Sequence, residues 1–136
     1  MSVHSGFALL IALAGLLSGC LDRSDGCRND PLSAVDAPDG RLSAVLFQRE
    51  CGATTGFSTQ ISILRPGELP AAGGNVFISD DGHGAAMPAD WHGPWVDVHW
   101  LGPDRLLVRY AARSRIFLRN ENVSGVRITY QPANDL

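Results

Sequence analysis

A two-residue apolar rhythm recurs in short stretches between residue 41 and residue 131, and nothing there sustains the 3.6-residue rhythm of an amphipathic helix. Successive side chains on a strand point to opposite faces, so this rhythm writes strands with one face buried. In Phe57–Leu64 (FSTQISIL), Phe57, Thr59, Ile61 and Ile63 fall on one face and Ser58, Gln60 and Ser62 on the other. In Val123–Gln131 the inward set is Val126, Ile128 and Tyr130, with Arg127 and Thr129 outward. Arg41–Arg49 reads as a buried strand rich in Val, Leu and Phe. Shorter strands are expected at Asn75–Ser79, Trp95–Leu101, Arg105–Ala111 and Arg115–Arg119. Pro38-Asp39-Gly40 supplies the preset φ and the positive-φ position of a turn, and Gly102-Pro103-Asp104 has hairpin length. About seven short strands separated by turns predict an all-β fold, a small antiparallel β-sandwich or meander. Ahead of them Pro31–Asp36 is expected to form one helical turn, capped by Asp30 with Pro31 at its first position.

The N-terminus has a different character. Gly6–Gly19 (GFALLIALAGLLSG) is uncharged and apolar. At 14 residues it is shorter than the ~20 a membrane-spanning helix needs, and it suits the core of a signal peptide. It ends in Leu17-Ser18-Gly19-Cys20, which resembles the bacterial lipoprotein signal motif. The resemblance implies cleavage before Cys20, a diacylglycerol on its thiol and acylation of the new amine. Each buried methylene contributes ~0.8 kcal/mol, so several acyl chains anchor a protein stably where one does not. Leu21 rather than Asp follows the cysteine, which in double-membraned bacteria implies sorting to the outer membrane. The expected organisation is a signal peptide at 1–19, a lipidated Cys20 with a short tether over 20–30, and one all-β domain over 31–136. The expected location is the bacterial cell envelope, lipid-anchored on the outer membrane and facing the periplasm.

Beyond Cys20 only Cys27 and Cys51 remain, and an even pair in an exported chain is most simply a disulfide. Closing a loop of about 25 residues is worth ~3–4 kcal/mol in the chain-entropy account. The eleven basic residues are all arginine, set against fourteen acidic ones for a net charge of −3. The absence of lysine excludes Schiff-base chemistry, a P-loop lysine and a lysine general base. So weakly acidic a balance makes no case for nucleic acid. No GxSxG, HExxH or CxxC pattern occurs, so no catalytic residue is assigned and the expectation is a non-enzyme.

Residues 38–64 (PDGRLSAVLFQRECGATTGFSTQISIL) carry a PDG turn, a strand, CGATT and a second strand. This pattern resembles a family of small, uncharacterised bacterial exported proteins and lipoproteins. The resemblance extends over roughly residues 27–130, through Gly74–Ile78, Val96–Trp100 and Val126–Tyr130, and it implies a fold and export but no activity. Within CGATTGFST, the hydroxyls of Thr54, Thr55, Ser58 and Thr59 read as a rigid, backbone-bonded turn braced by the disulfide. As a site, the same cluster would be a hydroxyl-lined anion or sugar pocket.

Residues 79–100 (SDDGHGAAMPADWHGPWVDVHW) concentrate chemistry, and no arginine occurs from Pro66 to Asp104. Asp97 and His99 lie two apart on one strand face. With His92 reaching from the loop, and Asp90 or His83 completing the set, they are candidate ligands for zinc or copper. The alternative is a solvated strand face, with Val96, Val98 and Trp100 facing the core. Trp91 and Trp95 stand in a long loop, where aromatics stack on a glycan or anchor an envelope protein partner, or pack down over the sheet edge. Arg105, Arg109, Arg113, Arg115 and Arg119 are expected on an outer sheet face, as a solvated surface or, in the sharper reading, a patch for anionic lipid or polysaccharide headgroups. The expected function is an envelope lipoprotein acting as a binding or structural module, with a periplasmic metal protein or small enzyme as the alternative.

Overall fold

The computed structural model describes residues 26–52 and 56–134. Among them nine strands form: β1 (Arg28–Asp36), β2 (Ser43–Glu50), β3 (Ser58–Leu64), β4 (Phe77–Asp80), β5 (Val96–Gly102), β6 (Arg105–Ala111), β7 (Arg115–Arg119), β8 (Asn122–Val123) and β9 (Val126–Ala133). No helix occurs among the described residues. Two sheets result, one in the order β1-β2-β3-β4-β7 and one in the order β5-β6-β9-β8. The all-β sandwich read from the alternation is the architecture found.

The core lies between the sheets. Ala44, Leu46, Ile61, Ile63, Val76 and Phe77 meet Val96, Leu106, Val108, Tyr110, Val126 and Ile128 from the other side. Phe77 is fully buried, with the rings of Tyr110 and Tyr130 at 5.4 and 5.8 Å. Val126 and Ile128 point inward and Arg127 and Thr129 outward, as the alternation of β9 requires. The tyrosine Oη of Tyr130 donates to the carbonyls of Val76 and Asn120. Burial pushes that phenol well above its ordinary range, so it stays a donor.

Several elements differ from expectation, each for a physical reason. Pro31–Asp36 is not a helical turn but part of β1, paired antiparallel with β2 from Arg28↔Glu50 to Asp36↔Ser43. Long-range pairing outweighs the local capping signal. Pro31 is tolerated because β1 is an edge strand, and the register shifts between Pro31 and Ser33. The last strand is broken at Ser124 and Gly125, whose φ values of 51° and 80° make a two-residue hairpin between β8 and β9. β6 and β9 pair in parallel, because the chain crosses to the first sheet for β7 before returning.

β2 is buried on both faces, as its run of Val, Leu and Phe leads one to expect, and so is β3, where alternation predicts one. Val45 and Phe47 lie on the face turned away from the core, yet are 3% and 0% exposed. The 65–76 segment folds across that face. Asn29 Nδ2 donates to the carbonyls of Pro70 and Ala72, Gly74 N donates to Gln60 Oε1 at 2.7 Å, and Asn75 N donates to Ser62 Oγ. A Cβ on Gly74 would lie 2.7 Å from the Ile61 carbonyl oxygen, so this approach requires glycine.

A disulfide joins Cys27 to Cys51. It stands one step beyond the Arg28↔Glu50 pair and closes the open end of the β1–β2 hairpin.

Candidate functional site

The tryptophan loop is built on β3. Thr59 is fully buried, and its hydroxyl donates to the Pro94 carbonyl at 2.8 Å while accepting from Trp91 Nε1 at 2.9 Å. Residues 87–95 close into a narrow hairpin. Trp95 N donates to Met87 O, Ala89 N to Gly93 O and His92 N to Ala89 O. His92 takes the left-handed backbone at the tip, with φ of 71°. Gly93 is buried so close to β3 that an added Cβ would stand 2.6 Å from Thr59 Oγ1 and 3.0 Å from Trp91 Nε1. One threonine thus fixes both the loop and the indole of Trp91.

Trp91 and Trp95, both half-buried, then line an apolar groove of about 390 Å³ with Leu32, Val35, Val96 and Val98. The groove runs between β1 and β5, each the edge strand of its sheet. Leu32 and Val35 remain 36% and 40% exposed. Trp100 Nε1 reaches across to the Val35 carbonyl at 2.7 Å and ties the two edges together at one end.

Polar groups border one wall. Asp97 Oδ2 lies 3.2 Å from His99 Nε2 and 3.6 Å from an Arg109 guanidinium nitrogen. Arg109 Cζ in turn stands 5.4 Å from the Trp95 ring centroid. Asp97 Oδ1 is shut from solvent and has no hydrogen-bond partner among the described residues. A buried acceptor without a donor costs roughly 1–3 kcal/mol.

The expected metal ligands are only partly brought together. Asp97 and His99 meet, whereas His92 lies against Phe57, with ring centroids 5.9 Å apart. Among the described residues no three His, Cys, Asp or Glu side chains form a metal-holding group. Val96 is buried, and Val98 and Trp100 pack against the core, as the strand alternation required. Cys20, Thr54 and Thr55 lie outside the described residues.

The arginines expected on one outer face are divided. Arg105 and Arg109 are on β6 in the second sheet, while Arg115 and Arg119 are on β7, which pairs with β4 in the first. Arg115 and Arg119 stack on Phe117 and Tyr130, at 5.0 and 4.7 Å to the ring centroids.

Reading from the sequence missed Leu32 and Val35. A local helix signal hid their strand, although the Cys27–Cys51 link could have suggested that residues 28–50 form a hairpin. No family model, curated protein or solved structure matches the chain.

Proposed function

We propose that the chain is a bacterial envelope lipoprotein, anchored through acylated Cys20, that acts as a non-catalytic binding module. Its groove between β1 and β5 receives an extended, apolar segment of an envelope protein. The observation that carries this reading is the placement of Trp91 and Trp95 in one groove beside Leu32 and Val35. Half-buried tryptophans of this kind, Trp91 fixed by the buried Thr59 hydroxyl, are the anchors that dominate protein interfaces. Edge strands on both sides present backbone groups suited to another extended chain. The Leu-Ser-Gly-Cys sequence and the apolar run before it support the anchor, and the PDG–CGATT resemblance supports export.

Two variants test the two halves separately. Cys20→Ala moves the protein from the membrane to the soluble fraction; a variant that stays bound contradicts the anchor. Leu32→Asp with Val35→Asp puts charge into the groove, abolishing chemical cross-linking to the partner while leaving anchorage intact. A partner still captured by the folded Asp variant contradicts the groove.

A further inference from the structure

A second concavity lies on the outer face of the first sheet, where the ends of β2, β3, β4 and β7 converge. It has a volume of about 420 Å³ and shares no lining residue with the tryptophan groove. Ligand clefts typically fall at about 300–1,000 Å³.

Its floor is polar and already organised. Arg49, Gln60 and Asp80 line it at 8%, 5% and 8% exposure. Such groups are tolerated inside only when bonded, and each is. Arg49 donates to Asn29 Oδ1 at 2.7 Å. Gln60 donates to Ser58 Oγ at 2.9 Å and accepts from Gly74 N at 2.7 Å. Asp80 accepts from Arg115 Nε at 3.1 Å and from Gly82 N at 2.9 Å. Burial raises the Asp80 carboxyl, but the bond and charge of Arg115, the Gly82 N–H and the charge of His83 outweigh it. The group therefore titrates below its ordinary value and is ionised at neutral pH.

Above this floor stand groups with capacity to spare. Among the described residues no hydrogen bond or ion pair takes up the Asp81 carboxylate or the His83 imidazole, and the Ser58 hydroxyl accepts without donating. The backbone that presents His83 is unusual. Gly82, His83 and Gly84 run consecutively through the left-handed region, with φ of 59°, 60° and 84°. Histidine is among the few non-glycine residues that take this region readily, and here the turn sets its ring at the cleft. Gly82 is obligatory, since a Cβ would lie 2.9 Å from the Arg113 carbonyl oxygen. At the rim, Phe117 is 60% exposed, and Arg115 stacks on the ring.

The charges narrow the ligand. Two carboxylates, Asp80 and Asp81, repel a simple anion, and the guanidiniums of Arg49 and Arg115 repel a simple cation. Interleaved donors and acceptors beside an apolar ring suit a molecule whose hydroxyls both give and take hydrogen bonds and whose C–H face stacks on an aromatic. We propose that this cleft binds a neutral polyhydroxylated ligand, a sugar unit of a glycan, with Phe117 as its stacking face and Ser58, Asp81, His83 and Arg115 as its polar contacts. The site is independent of the tryptophan groove and of the anchor.

Titration calorimetry of the full-length protein in detergent tests it, with a glucose trisaccharide and an N-acetylglucosamine trisaccharide as probes. Inorganic phosphate and spermidine serve as ionic controls. Saturable binding of a trisaccharide is expected, weakened about five- to tenfold by Phe117→Ala and reduced also by Asp81→Asn. Trp95→Ala keeps the wild-type affinity. If Asp81→Asn melts early, His83→Asn replaces it, because asparagine accepts the left-handed backbone. Failure of both trisaccharides to bind, binding of an ionic control in their place, or affinity unmoved by folded cleft variants overturns the proposal.

Discussion

Replacing Cys27 and Cys51 together by alanine removes a link spanning 24 positions of the chain. The chain-entropy relation gives the closed loop about 3.5 kcal/mol at 25 °C. Little of this is lost from the folded protein. The bond lies just beyond a ladder running from Arg28↔Glu50 to Asp36↔Ser43, so β1 and β2 stay side by side when it is cut. The effect falls on the unfolded chain, which gains freedom. Domains of this size have a stability of roughly 5–15 kcal/mol, so the double variant still folds, with a much reduced margin. In urea, with a slope of about 1–3 kcal/mol per M, the midpoint falls by about 1.2–3.5 M. The slope itself rises, because the uncrosslinked chain exposes more surface on unfolding. Amide exchange in β1 accelerates most, since this edge strand pairs only with β2. A midpoint that moves by less than about 0.3 M, on a transition that remains two-state, would refute the reasoning.

Three further outcomes follow from packing and charge. Phe77→Ala empties the centre of the core between Tyr110 and Tyr130 and costs about 3–5 kcal/mol in chemical denaturation. Gly93→Ala drives a methyl into Thr59 Oγ1 and Trp91 Nε1, so it frees the Trp91 indole and weakens partner cross-linking; red-shifted tryptophan fluorescence reads the first effect. Arg115→Gln leaves the burial of Asp80 unopposed by its principal partner, so the carboxyl titrates higher in a carbon-detected NMR titration. In the wild type the depressed carboxyl stabilises the fold above its unfolded value of about 3.8 and loses that contribution as pH falls through the lower folded value. Acid unfolding of Arg115→Gln therefore starts at higher pH.

Where apolar pattern and turn residues decided the structure locally, the sequence was legible. β2 to β7 and β9 fall where alternation and turn residues put them, and the Pro103-Asp104 link forms the expected hairpin through Gly102↔Arg105. What escaped was non-local. The pairing that makes Pro31–Asp36 a strand lies with residues 43–47, beyond any local window. The cover over Val45 and Phe47 comes from a segment some 25 residues away in sequence, one with no strand rhythm of its own. The parallel β6–β9 ladder needs a crossing between sheets that no periodicity encodes. For the site, Trp91 and Trp95 stood out by composition, but the groove needed β1. The polar cleft gathers Arg49, Ser58, Asp80, His83 and Arg115 from four separate stretches of chain, so of its lining only the hydroxyl-rich stretch around Ser58 was singled out by sequence.

The groove is tested most directly by photo-crosslinking in the native cell, with a photoreactive residue in place of Trp95 in the full-length protein. One discrete protein adduct is expected, lost when Val35→Asp is added to the same chain. A folded, membrane-bound protein that yields no protein adduct, or an adduct that survives Val35→Asp, would contradict the account.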